Sequence, residues 1–70
     1  MRIRVSDPVL IGDLLDCLLD NGCLAIQTSQ NIVAVSFSDG LPYDVARLEL
    51  DLHLADWLRG HADAGAVVID

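Results

Sequence analysis

The chain opens in strand period. In "MRIRVS", Ile3 and Val5 point one way and Arg2 and Arg4 the other, which predicts a strand with one solvated face. The next stretch, "SDPVLIGDLLDCLLDNG", changes period. Leu10, Ile11, Leu14, Leu15 and Leu18 form one broad apolar stripe on a helical wheel, with Asp13, Asp16 and Asp20 gathered opposite. Its punctuation is also helical: Ser6 or Asp7 caps the start, Pro8 suits the first helical position, and Asn21-Gly22 supplies a left-handed stop. Two β-rich runs follow, "CLAIQTS" and "NIVAVSFS", around the turn residues Ser29, Gln30 and Asn31, and they predict a hairpin. In the second run Val33, Val35 and Phe37 share one side and Ala34, Ser36 and Ser38 the other. "SDGLP" breaks the chain, and after the loop "RGHADAG" the segment "AVVID" predicts a short terminal strand.

The stretch "RLELDLHLADWL" has two readings. Leu48, Leu50, Leu52 and Leu54 alternate with Glu49, Asp51 and His53, as in a half-buried strand. Yet nearly every residue is a helix former and none is β-branched. As a strand it would present a long leucine-faced surface prone to aggregation and leave half the sheet uncovered. As a helix beginning after Pro42 it completes the order strand-helix-strand-strand-helix-strand. That order predicts an α+β, ferredoxin-like βαββαβ domain, a four-stranded antiparallel sheet with two helices on one face. The other face would be open and carry Arg2, Arg4 and the small polar residues of the third strand.

On the helix, the alternation separates into two stripes. Tyr43, Ala46, Leu50, Leu54 and Trp57 fall on one side, and Val45, Leu48, Leu52 and Ala55 on the opposite side. Glu49, His53 and Asp56 run between them along one flank, and Arg47 and Asp51 along the other. Only one stripe can face the sheet. The stripe with Trp57 is expected inside, because an indole contributes most when buried. Val45, Leu48, Leu52 and Ala55, continued by Arg59, are then left outside as the candidate partner-binding surface.

Composition adds a reason for such a surface. Seventy residues, 53% of them hydrophobic, make a single folded domain spanning residues 1–70. A domain of this size buries only about 60% of the surface its unfolded chain exposes, and such chains often lean on disulfides, metal or oligomerisation. Cys17 and Cys23 match no zinc or thioredoxin-type spacing, so they are expected as two packed thiols. Oligomerisation remains, with a homodimer the commonest form.

The formal net charge is −7, with no lysine among four basic residues and aspartate at ten of eleven acidic positions. That bias suggests a GC-rich genome. The charge argues against nucleic acid or an anionic membrane as partner, since phosphate binding needs clustered Lys and Arg. The open sheet face also lacks the aromatics that stack RNA bases. No apolar leader precedes the first strand and no run approaches a membrane span, so a cytoplasmic protein is expected.

No constellation points to catalysis. Asp13, Asp16 and Asp20 read as a solvated helix face. His53, Asp56 and His61 lie at helical steps but fall short of the three or four convergent ligands of a metal site. Ser6, Ser29, Ser36 and Ser38 have no evident base, and no glycine-rich phosphate loop occurs. No catalytic, cofactor-binding or metal residue is therefore assigned.

The opening "VSDPVLIGDLLDCLLDNGC" resembles the first strand and helix of ACT-type regulatory domains, which have a short D-x-P-G-like loop and a helix ending at glycine. That resemblance implies amino-acid binding at an interface between paired domains, near Asp7 and Val9. The position of the loop glycine is Val9 here, where a Cβ crowds close ligand approach. Heavy-metal-associated domains share the size and element order, but "SDPVLI" stands where their C-x-x-C would be. The whole chain also resembles small α+β proteins of actinobacteria to which no activity is assigned. The leading expectation is a non-enzymatic module that self-associates or docks a protein partner through the outer face of its second helix. The alternative is an ACT-like sensor of a small ligand such as an amino acid.

Overall fold

A computed structural model describes residues 1–37 and 40–69. Ser38, expected on the outer side of the third strand, Asp39 in the expected chain break, and Asp70 at the end of the terminal strand lie outside the described residues. The elements run β1 (Arg2–Val5), α1 (Ile11–Asp20), β2 (Cys23–Gln27), β3 (Ile32–Phe37), α2 (Tyr43–Arg59) and β4 (Ala66–Val68). The sheet order is β2-β3-β1-β4 with every neighbouring pair antiparallel. This is the ferredoxin-like βαββαβ arrangement that the order of elements predicts.

Register explains which residues meet. Ile3 pairs with Val33 on one side and Val68 on the other, and Ala25 pairs with Val35, so one face of the sheet is apolar from edge to edge. Ile3, Val5, Val33 and Val35 of that face join Ile11, Leu14 and Leu18 of α1 and Leu50, Leu54 and Trp57 of α2 in a single core cluster. Both helices therefore cover the same face. Arg2 and Arg4, one residue out of phase, stand exposed on the other. The segment with strand-like alternation is a 17-residue helix, about 25 Å long at 1.5 Å per residue.

The first helix begins later than its sequence punctuation suggests. Asp7 does act as a cap, its carboxylate accepting from the Val9 N–H at 3.0 Å, but the turn it opens is a single 3-10 turn, Pro8–Leu10. The α-helix proper starts at Ile11. Ser6 serves elsewhere: its N–H donates to the Gly65 carbonyl at 2.7 Å and its hydroxyl accepts from the Gly65 N–H at 2.9 Å, tying the end of β1 to the entry of β4.

Gly22 ends α1 with φ of 81°, a left-handed conformation that disfavours any Cβ. Gly12, by contrast, lies inside α1 where an added Cβ meets nothing within 4 Å. The two glycines should therefore respond oppositely to alanine. Gly22→Ala is expected to destabilise by about 1–2 kcal/mol, and Gly12→Ala to stabilise by about 0.5–1 kcal/mol. Urea denaturation of both variants checks the difference in sign.

Candidate functional site

Helix α2 presents its two stripes to different surroundings. Ala46, Leu50, Leu54 and Trp57 are buried against the sheet and α1. Tyr43, grouped with them by the wheel, is exposed instead. The core begins one turn later, because the first helical residue stands outside the apolar cluster. On the opposite side Leu48 and Leu52 are 62% and 58% exposed, with Val45 and Ala55 also exposed above and below them. The candidate residues Val45, Leu48, Leu52 and Ala55 thus form a continuous apolar ridge over about three turns. Their spacing of three, four and three residues is that of a helical packing seam.

The flanks of the ridge are charged and largely organised within the helix. Arg47 Nε approaches Asp51 Oδ1 at 3.4 Å, Arg59 pairs with Asp56, and His53 Nε2 lies 3.8 Å from Glu49 Oε2. Such exposed pairs add little stability. They do hold the long side chains along the helix, which leaves the leucines standing clear.

The open sheet face holds a second apolar surface that the strand pattern did not reveal. Leu24 and Ile26 of β2 are 55% and 65% exposed there, and Val67 of β4 is exposed at the other edge. Cross-strand register sets them in rows with the arginines: Arg2 pairs with Ala34, which pairs with Ile26, and Arg4 lies between Val67 and Ile32. Small Ala34 leaves a shallow hollow of about 380 Å³ between Met1 and Arg2 on one side and Leu24 and Ile26 on the other. In β2 both alternating sets are apolar, so period alone cannot choose the outward one.

One cluster has the residue types of acid-base chemistry. Where the start of α1 meets the end of α2, the Trp57 indole Nε1 donates to Asp13 Oδ2 at 2.9 Å, and His61 Nε2 lies 2.7 Å from the same oxygen. The His61 ring stacks on the indole with centroids 4.3 Å apart, and its Nδ1 lies 2.9 Å from the Trp57 carbonyl oxygen. Asp13 is thus more than part of a solvated face; it braces the two helices. Both imidazole nitrogens are engaged, so neither is presented to a substrate, and the arrangement reads as a structural clamp. Asp13→Ala leaves the buried indole N–H without its acceptor and is expected to cost about 1–2 kcal/mol. Asp16→Ala, at an exposed position on the same helix, is expected to change stability by less than about 0.5 kcal/mol. Thermal unfolding of the two variants separates the clamp from a solvated carboxylate.

Asp16 and Asp20 are exposed as expected. Cys23 is buried and Cys17 half-buried against the core, both as free thiols. His53 and Asp56 lie along one flank of α2, with Glu49 beside His53; among the described residues no three of His, Cys, Asp and Glu are grouped to hold a metal ion. Val9, at the position of the ACT-type loop glycine, projects into solvent. Among the described residues no helix is long and apolar enough to cross a membrane. Compared with family models, curated proteins and solved structures, the chain matches none of them.

Proposed function

We propose that this protein is a non-enzymatic association module whose contact surface is the outer face of α2. The observation that carries the reading is the exposed ridge of Val45, Leu48, Leu52 and Ala55, set on a helix whose opposite side already fills the core. Isolated exposed leucines are ordinary on a protein surface. A seam of apolar side chains in register over three turns, kept clear by intrahelical ion pairs, is a surface shaped for packing. Fully burying two leucines contributes roughly 3–6 kcal/mol, comparable to the net stability of about 5 kcal/mol at the lower end of the native range. The absence of catalysis in this reading is supported by the use of Asp13 and His61 as a brace between helices.

Sedimentation velocity of the wild type and of Leu48→Gln/Leu52→Gln tests the proposal. Glutamine keeps helix propensity and charge while removing apolar area. Wild type is expected to associate with rising concentration and the variant to remain a monomer. A wild-type monomer at every concentration that retains no protein partner in a pulldown contradicts the reading.

A further inference from the structure

The charges of this protein are sorted by layer. Helices α1 and α2 carry seven acids, Asp13, Asp16, Asp20, Asp44, Glu49, Asp51 and Asp56, against two arginines, Arg47 and Arg59. Among the described residues the four strands carry Arg2 and Arg4 and no acid. The molecule therefore has an acidic helix layer and a basic sheet. Each layer also ends in an apolar surface: the ridge on α2 and, on the opposite side of the domain, the sheet face of Leu24, Ile26 and Val67.

We infer that these two surfaces are complementary halves of one contact, in which the α2 ridge of one copy docks on the open sheet face of the next. The inference rests on the reading of α2 as the contact surface and names its occupant. Charge decides the pairing. Two α2 ridges packed together would set Asp44 and Glu49 against the same two acids, since Arg47 and Arg59 are engaged with Asp51 and Asp56 along their own helix. Two sheet faces packed together would oppose two surfaces whose charged strand residues, among those described, are arginines. Ridge on sheet places acids beside Arg4 and leaves no like-charged row opposed. Shape agrees: the hollow over Ala34 is a receptacle for the side chains of Leu48 and Leu52.

Because the two surfaces lie on opposite sides of the domain, the contact is heterologous and does not close on itself in a pair. Each copy added exposes a fresh ridge at one end and a fresh sheet at the other. Association should therefore continue beyond a dimer as concentration rises.

The test mixes two variants. Leu48→Gln/Leu52→Gln disables the ridge and keeps the sheet; Leu24→Thr/Ile26→Thr disables the sheet face and keeps the ridge, with β-branched residues preserving strand propensity. Circular dichroism confirms the fold of each. In sedimentation velocity, each variant alone is expected to be a monomer. Their mixture is expected to form a 1:1 pair that grows no further, since the pair's two outer surfaces are the disabled ones. Arg4→Glu added to the ridge variant is expected to weaken that pair roughly three- to tenfold. Salt is less diagnostic, because screening also relieves repulsion between copies that each carry a formal charge of −7. If the sheet variant associates as wild type does while the ridge variant is monomeric, α2 packs on its own copy; the inference fails and the α2 reading stands. If wild type and both variants are monomers alone and in mixture, the inference is overturned and self-association through α2 falls with it.

Discussion

Trp57→Ala is expected to leave the domain largely unfolded at room temperature. The indole is buried where α1, α2 and the sheet meet, and it is part of the single core cluster. Replacing a buried tryptophan by alanine costs about 3–5 kcal/mol in lost burial and in the cavity left behind. In the same step Asp13 loses its indole donor and His61 loses the ring on which it stacks. A small domain has about 5 kcal/mol to lose at the lower end of the native range. Trp57→Phe keeps an aromatic body beside His61 but deletes the bond to Asp13, and it is expected to cost about 1–2 kcal/mol relative to wild type. Urea denaturation followed by circular dichroism suits the comparison, since the chain's one tryptophan is the residue removed. A Trp57→Ala variant that unfolds cooperatively with a midpoint near wild type would contradict the placement of this stripe inside.

The second large effect contrasts leucines on the two faces of α2. Leu50 is fully buried, whereas Leu48 and Leu52, two positions before and after it, face solvent. Leu50→Gln places an amide in the apolar core cluster and removes a core side chain. It is expected to destabilise by about 3–5 kcal/mol, combining a large-to-small loss with an unsatisfied polar group. Leu48→Gln/Leu52→Gln changes the same residue type twice and is expected to shift monomer stability by less than about 1 kcal/mol. Under the proposed contact its effect is expected in association, which it should remove. Thermal unfolding of dilute samples reads the first difference and sedimentation the second. Equal destabilisation by the two sets would mean that α2 is covered on both sides within one chain.

The elements whose fate depends on local period were readable in the chain. Helix α1 has a single stripe, and β1 and β3 alternate cleanly, so their inward sides follow from the sequence. Even α2, with apolar residues on two faces and strand-like alternation over a short window, separates correctly once its helical propensity is weighed. Tyr43 escaped because a wheel assigns direction but says nothing of where along the axis the core begins. The outward direction of Leu24 and Ile26 was hidden for a different reason. Both faces of β2 are apolar, and the choice is made by the pairing of Ala25 with Val35, which sequence period does not encode. The brace between Asp13 and Trp57 spans 44 positions and arises only because the start of α1 and the end of α2 are packed together. What local pattern misses here is made by tertiary packing, and it includes half of the proposed contact.

The most direct test of the contact is methyl-resolved NMR of the wild-type protein across a dilution series. The account predicts that the methyl signals of Leu48 and Leu52 move or broaden as concentration rises, together with those of Leu24 and Ile26. Leu50 and Leu54, which face the core, should stay fixed. Signals of Leu48 and Leu52 that are unchanged at every concentration, with a diffusion rate that stays that of a monomer, would contradict it.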